Sequence, residues 1–425
     1  MNNIPLKSHH ILLSRSLVIF LISSAFLLNA GNWPQWGGVE RDGNSSETGL
    51  LRIWPEVGPK LNWQVKDIGS GYSTPVVVNN YIYILSNNGL NDEVVKALSV
   101  LDGKKLWSAR IGKVGNPDQR PNYPGARSTV TIDGDAVYAL GSNGDLVCLK
   151  ANTGQMIWKK DLRRDFSGKP GKWAYAESPL VDGDYLICTP GGSDATLLAL
   201  NKKNGDVVWK SVTPEGDDAS YSSPIAVEIS GTKQYVQFLS KGLVGVESES
   251  GRLLWRYERT AQKSPANALT PIAYQGLIYS AASRSGGGLV RVTGQKNQFK
   301  VEELYFSKKL PNGLGGAVKV GDYLYGTSGP MLQCVEFSSG KVVWENRCVG
   351  SASICQADGR LYVHGDTDDM ALVEATPEAY REKGRFTLPE QPDRGRAKAW
   401  AYPVIANGRL YVRDAGSLWS YQIRE

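Results

Sequence analysis

The side chains of this 425-residue chain that could bind or react fall at matching places in a repeated pattern. Reading the repeats in register sets Tyr72, Arg127, Glu177, Tyr221, Asn267, Trp400 and Tyr402 just ahead of short apolar runs, with Tyr175 two residues before Glu177. Equivalent positions of a cyclic array face its axis, so this set is expected to line the mouth of a channel. Arg127 and Glu177, one repeat apart, could pair there, serving either a ligand or only mutual neutralisation between repeats. Lys241 and Arg284 stand at turns on the same expected face, where with Arg127 they would favour an anionic ligand. The Gly286-Gly287-Gly288 run beside Arg284 reads as a turn, because no helix follows it to complete a phosphate loop.

Other chemistry is thinly supplied. His364-Gly365-Asp366-Thr367-Asp368-Asp369 offers carboxylates to a hard cation such as Ca²⁺, but its spacing departs from D-x-D-x-D-G, and a solvated turn is the favoured reading. His9 and His10 fall in an N-terminal leader, which leaves His364 alone in the remainder and argues against His-rich metal sites and a His-based triad. No nucleophile stands with a base and no dinucleotide fingerprint occurs, so no catalytic residue is assigned. Of five Cys, Cys148 and Cys334 take a small-residue position of the repeat and Cys188 lies inside an apolar run. Cys348 and Cys355 flank a short connection and could form a disulfide.

The elements that must position these residues are copies of one unit, Ser178 to Trp209, read as four short strands joined at Asp182-Gly183, Pro190-Gly191-Gly192 and Asn204-Gly205. Its first corner recurs eight times, from Asn79-Asn80 to Asn407-Gly408. Its last corner carries a tighter motif: a small residue, a polar one, a turn residue with Gly, then Trp four after that Gly. Trp107, Trp158, Trp209, Trp255 and Trp344 close such copies, and Tyr305 and Phe386 take the place in two degenerate ones. A twisted four-stranded meander of this period buries both faces only when neighbours stack around an axis. The expected fold is therefore all-β, an eight-bladed β-propeller of four-stranded antiparallel blades. The last copy has only three strands, and the orphan strand around Trp63 is expected to complete it, so that both chain ends share the final blade.

Residues 1–30 differ from the rest: Lys7 and Arg15 precede an apolar run, Leu17 to Leu28, too short for a stable span, and the segment reads as a secretory signal peptide. Losing those two basic residues takes the formal charge from +6 to +4, spread without blocks, which argues against nucleic acid as a partner. Residues 31–60, rich in Trp, Gly and Pro, form an arm expected to pack Trp33, Trp36 and Trp54 on the ring, and residues 61–425 form the propeller. The longest connections, Ser108 to Ala126, Lys159 to Tyr175 and Thr387 to Trp400, share one face, which is expected to be the functional one.

The motif Ala199 to Trp209, A-x-[DN]-x-x-[TN]-G-x-x-x-W, resembles the tryptophan-docking motif of the pyrroloquinoline quinone (PQQ) repeat family, and the likeness runs through essentially everything after residue 32. Asn32-Trp33-Pro34-Gln35-Trp36, Ala174 to Pro179 and Lys398 to Pro403 look like exported BamB-like propellers of that family. The resemblance implies either a cofactor-free scaffold or a PQQ- and Ca²⁺-dependent quinoprotein dehydrogenase acting on an alcohol or polyvinyl alcohol. The dehydrogenases carry an adjacent Cys pair over the quinone, and the lipid-anchored members a Cys after the leader; neither is found here. The expectation is a periplasmic or secreted monomer, without cofactor, that binds a protein or polymer partner of the cell envelope at the long-loop face.

Overall fold

The computed structural model describes Met1 and residues 31–116, 125–214, 216–264, 266–295, 298–394 and 397–424. Apart from Met1, the expected signal peptide lies outside the described residues. Eight four-stranded antiparallel sheets form the blades of a propeller, each running outward from a short innermost strand. Blade 1 begins at Val76–Val78, blade 2 at Thr131–Asp133, blade 3 at Leu180–Asp182 and blade 4 at Ile225–Ile229. Blades 5 to 8 begin at Ile272–Tyr274, Ala317–Val320, Ala352–Ala357 and Val404–Ala406. Lys60–Val65 supplies the outermost strand of blade 8, antiparallel to Ser417–Gln422, so the two ends of the chain close the ring in one sheet, as the orphan Trp63 strand required.

The tryptophan motif works between blades. In blade 3 Ala199 pairs with Trp209, and the register shifts immediately beyond, at Leu200–Val207. The extra residue is a bulge that re-aims the strand, and the small residue opposite leaves room for the indole. Blade 4 makes the same point more severely, since a Cβ on Gly245 would lie 2.2 Å from Trp255. Each indole then reaches the next blade. Trp63, Trp107, Trp158, Trp209 and Trp344 donate Nε1–H to Val100 O, Ala151 O, Lys202 O, Ser248 O and Thr376 O at 2.9–3.1 Å. The ring of Trp209 also covers Gly251 of blade 4, where φ is +71° and a Cβ would meet the indole at 2.4 Å. Glycine is required there for both reasons. Trp255 differs by donating inside its own blade, to Gln234 Oε1 at 2.7 Å, and Tyr305 substitutes through a hydroxyl bond to Phe337 O at 2.9 Å.

Residues 31–59 lie on the ring, running from the inner edges of blades 1 and 7 out to the outermost strand of blade 7, where Trp54 N donates to Lys383 O at 2.8 Å. Trp33 bridges Val77 of blade 1, and Asn44–Ser45 adds in parallel to the innermost strand of blade 7. Trp33 and Trp54 are buried among core residues of blades 1, 7 and 8. All five cysteines are free, so the Cys348–Cys355 disulfide does not form: the two side chains have different surroundings, Cys355 wholly buried in the core and Cys348 part-exposed. Among the described residues the one helix is Leu162–Phe166, capped by Asp161, whose Oδ1 accepts from Arg163 N and Arg164 N. No helix among them is long and apolar enough to cross a membrane.

Candidate functional site

A cavity of about 370 Å³ opens on the axis at the face of the long connections. Three layers build it. The outer wall is aromatic: Tyr72 packs on Trp400, ring centroids 5.1 Å apart, and Trp173 on Tyr221 at 5.9 Å, while the Trp173 backbone N–H donates to Tyr221 Oη at 2.9 Å. Arg127 stands in this wall with Nη1 3.2 Å from Gly125 O; burial lowers its pKa, opposed by the fields of Tyr72, Glu93 and Tyr221. Arg284 and Ser283 sit exposed at the rim.

The middle layer is a course of hydroxyls at one register position in five successive blades. Thr74 N donates to Thr129 Oγ1 (3.0 Å), Thr129 N to Ser178 Oγ (2.9 Å), Ser178 N to Ser223 Oγ (2.9 Å) and Ser223 N to Thr270 Oγ1 (3.0 Å). Tyr402 N closes on Thr74 Oγ1 at 3.3 Å. Each blade thereby hangs a backbone N–H, unpaired at the inner edge of the sheet, on the side chain of its neighbour. The floor is Tyr402 with Trp36, which meet edge to face at 5.6 Å and separate this cavity from a second, of about 460 Å³, on the opposite face. Arg41, from the same segment as Trp36, is buried beside the floor, with Nη2 2.8 Å from Ser178 O and Nη1 2.9 Å from Gln35 Oε1.

Of the residues the sequence pointed to, Tyr72, Arg127, Tyr221, Arg284, Trp400 and Tyr402 do line the cavity. Glu177 and Asn267 do not; the lining residues of those blades are Ala176 and Ala268. The reason is register: a strand alternates its faces, so a slip of one residue reverses a side chain. Glu177 is buried between blades 3 and 4, accepting from Thr189 N at 2.6 Å and Gln237 Nε2 at 3.0 Å, and burial pushes its carboxyl up to about 7. The guanidinium whose field it shares is that of Arg41, and the Arg127–Glu177 ion pair is not formed. Asn267 is buried too, giving Nδ2–H to Leu239 O at 2.7 Å. Tyr175 is sealed between blades 2 and 3 with Oη donating to Pro190 O at 2.8 Å, and burial raises its pKa. Lys241 lies exposed on a corner of blade 4, outside the cavity lining, its backbone N–H on Asp217 Oδ1 at 2.9 Å.

Sequence reasoning missed the hydroxyl course, Trp36 and Trp173. A Ser or Thr before Pro opens four of the blades, at Thr74-Pro75, Ser178-Pro179, Ser223-Pro224 and Thr270-Pro271. That dipeptide is the signal that would have fixed the register.

The described lining holds no carboxylate, imidazole or thiol. Nor does any group of three or more His, Cys, Asp or Glu able to hold a metal occur among the described residues. In the His364–Asp369 turn, Asp366 pairs with Lys398 at 3.2 Å, Asp368 with Arg394, and Asp369 accepts from Thr387 Oγ1 at 2.6 Å. His364 is fully buried, Nδ1 3.0 Å from Ala401 O, and burial lowers its pKa to about 4. The donor set therefore does not fit the quinone–Ca²⁺ pair of the dehydrogenases: its cations and hydroxyls suit an anion, but no oxygen-anion ligand is there for Ca²⁺.

Comparison with known proteins agrees with this architecture. A BamB protein of Burkholderia pseudomallei is 25% identical over 284 residues, 65% of this chain and 67% of that one. The crystal structure of BamB from Moraxella catarrhalis superposes with a TM-score of 0.59 at 14% identity, covering 85% of this chain and 97% of that one. A quinohemoprotein alcohol dehydrogenase of Pseudomonas putida HK5 shares the fold with a TM-score of 0.54 at 14% identity over 93% and 80% of the two chains. The model of the family described as outer membrane protein assembly factor BamB matches residues 91–346, more than half of the sequence, and this PQQ-repeat propeller belongs to that family.

Proposed function

We propose that this chain is an exported, non-catalytic binding propeller that takes a partner or ligand of the cell envelope at the long-loop face and the mouth of its axial cavity. In this reading residues 1–30 are a signal peptide, residues 31–60 an arm laid on the ring, and residues 61–425 a monomeric propeller in the periplasm or outside the cell. The observation that carries it is the lining of the cavity: aromatic walls, a hydroxyl course and Arg127, with none of the described lining side chains able to act as a general base or metal ligand. Relatives named as outer membrane protein assembly factors support a scaffold role. Kinship of fold with a quinohemoprotein alcohol dehydrogenase favours the alternative, but fold does not carry activity.

Two measurements test it. A photo-crosslinking residue at Lys172 or Arg284, on the proposed face, should label envelope components, whereas one at Lys203, on a corner of the other face, should not. Equal labelling from both faces would remove the face assignment. Alcohol-dependent reduction of an artificial electron acceptor, on addition of PQQ with Ca²⁺, would overturn the non-catalytic reading.

A further inference from the structure

The arm of residues 31–59 does not treat the blades alike. In an antiparallel pair, residues alternate between exchanging both backbone bonds with the partner strand and turning both groups away from it. The last residue of each innermost strand closes the first corner, so the one before it turns its N–H and C=O toward the axis, and the arm meets most of these. Val77 of blade 1 exchanges bonds with Trp33 at 2.7 and 2.9 Å, Ile132 N of blade 2 donates to Pro34 O at 2.8 Å, and Gln356 N of blade 7 donates to Gly43 O at 2.9 Å. In blades 6 and 8, Lys319 O and Ile405 O accept from Asn44 Nδ2 at 3.3 Å and Ser45 Oγ at 3.1 Å. In blade 3 Arg41 Nη1 takes Pro179 O at 3.2 Å. Blades 4 and 5 are passed by. No described residue reaches the inward backbone groups of Glu228 and Ala273, which hold the equivalent places, or those of Ala226, two residues before Glu228 on the same edge.

That open edge runs along a trough. The cavity of about 460 Å³ beyond the Trp36–Tyr402 floor is lined by the innermost strands of blades 4, 5 and 6, and a further hollow of about 260 Å³ between blades 4 and 5 shares Val227, Ala273 and Tyr274 with it. Val227, Ile272, Val318 and the half-exposed ring of Tyr274 make its walls apolar. Its rim is acidic: Glu40 and Asp42 of the arm and Glu228 of blade 4 are exposed, and none is in an ion pair with a described residue. The two cations of the lining are already engaged. Arg41 is buried on carbonyls of blade 3, and Lys319 lies 3.6 Å over the Tyr274 ring with Nζ on Gly321 O at 2.6 Å.

An open sheet edge is a template for another strand. Asn44–Ser45 shows the inner edge of blade 7 used in that way within this chain. We propose that the inner edge of blade 4 accepts an extended peptide in which apolar residues alternate with Lys or Arg, added as a strand to Ile225–Ile229 on the face opposite the long loops. Side chains of an added strand alternate between two sides, so one set meets the apolar walls and the other the acidic rim. The site goes beyond the binding face proposed above and does not depend on it; Lys203, on an outer corner of blade 3, lines neither hollow.

The probe is a capped octapeptide alternating Val and Lys, titrated against the full chain, with its Val-Glu counterpart as the control. The Val-Lys peptide should bind at least about tenfold more tightly. It should slow amide exchange in Ile225–Ile229 and leave Val76–Val78, whose edge Trp33 already holds, unchanged. Ala226→Pro removes an edge N–H that no described residue accepts, a place where Pro is tolerated, and should weaken binding at least about tenfold. Glu228→Gln, which keeps the backbone, should weaken the Val-Lys peptide and strengthen the Val-Glu one. Equal affinity for the two peptides, unaltered exchange in Ile225–Ile229, or full binding by a folded Ala226→Pro chain would overturn the proposal. The exchange measurement uses the unsubstituted chain, so it decides the matter where Ala226→Pro does not fold. Self-association that Ala226→Pro abolishes, with no peptide bound, would assign the edge to a second copy of the chain and equally overturn it.

Discussion

The hydroxyl of Tyr402 occupies the space that a side chain at Gly316 would fill, since a Cβ built on Gly316 would lie 2.7 Å from Oη. Gly316 holds in blade 6 the register position that Thr74 and Thr270 hold in theirs, so an aromatic ring from blade 8 takes over where blade 6 has no side chain. Its Oη bonds Leu314 O at 3.3 Å, and its edge supports Trp36. One side of the axis is thus closed by a ring, and the other by the hydroxyl course.

Gly316→Ala should therefore cost more than its backbone alone. With φ at +75°, any L side chain there is strained, and the added methyl also displaces Tyr402. A loss of about 1–3 kcal/mol in urea unfolding is expected, together with a change in Trp36 emission. Gly321 is the control: its φ is +54°, yet nothing lies within 4 Å of an added Cβ. Should both substitutions give the same midpoint and emission, Tyr402 is not what fills the gap.

Trp63 performs for the junction of blades 8 and 1 what Trp107 and Trp158 do elsewhere. Its Nε1–H reaches Val100 O at 3.1 Å and its ring lies 3.0 Å from where a Cβ on Gly103 would be. The difference is topological, because the strand that carries Trp63 is held to Ser417–Gln422 of its own blade by strand pairing alone, while the chain itself runs on into blade 1. Trp63→Ala should cost about 2–4 kcal/mol through lost burial and one bond. Hydrogen exchange should rise selectively in Lys60–Val65 and Ser417–Gln422. Trp158→Ala, of similar cost, should leave those strands protected.

The ring was legible in the sequence because its determinants are local and repeated. A Gly at a corner and a Trp four residues on are visible in any copy, and both owe their identity to a neighbour that the repeat itself supplies. The site was only partly legible. Arg127 and Tyr221 are large and polar and draw attention, whereas Ala176 and Ala268, which hold the equivalent places, carry no signal, and the sequence points instead to the neighbouring Glu177 and Asn267. Trp36 and Arg41 belong to no repeat, and nothing short of the fold shows that they reach the axis. Lys241 had the right corner, but a corner outside the cavity wall.

Burial of Glu93 sets a pH dependence. Its carboxylate accepts from Ser142 N and Ser142 Oγ, both at 2.6 Å, within the fields of Arg127 and Asp145, and burial pushes its pKa up to about 7 from 4.5. A carboxyl whose pKa is higher in the folded chain holds its proton longer there than in the unfolded chain. Its contribution is therefore most favourable at or below about pH 4.5 and declines as pH rises to about 7, by an amount on the order of 3 kcal/mol. Glu93→Gln keeps an oxygen for Ser142 N and removes the titration. The variant's unfolding free energy should be flatter than the wild type's across that window. An unaltered slope would mean that Glu93 stays charged when folded.

Arg413 tests whether the closing seam yields as one unit. It is fully buried in blade 8 and gives its protons to blade 1 and the chain leading to it: Nη1 to Ser73 O and Leu85 O at 3.0 and 2.9 Å, Nη2 to Gly69 O at 2.9 Å. Burial lowers its pKa to about 9, and the adjacent Asp414 turns to Arg394. A guanidinium satisfied by carbonyls cannot be replaced by a Lys of the same charge, since three donors on a point cannot meet acceptors spread over a plane. Arg413→Met would strand those carbonyls and should cost about 3–5 kcal/mol, with Arg413→Lys recovering only part. Trp63 secures the outer end of the same seam and Arg413 the inner end. If the seam opens cooperatively, Trp63→Ala and Arg413→Met together will cost less than the sum of the two, because the first has already released what the second would break. Strict additivity in urea unfolding would instead mean that the inner and outer ends of the closure fail independently.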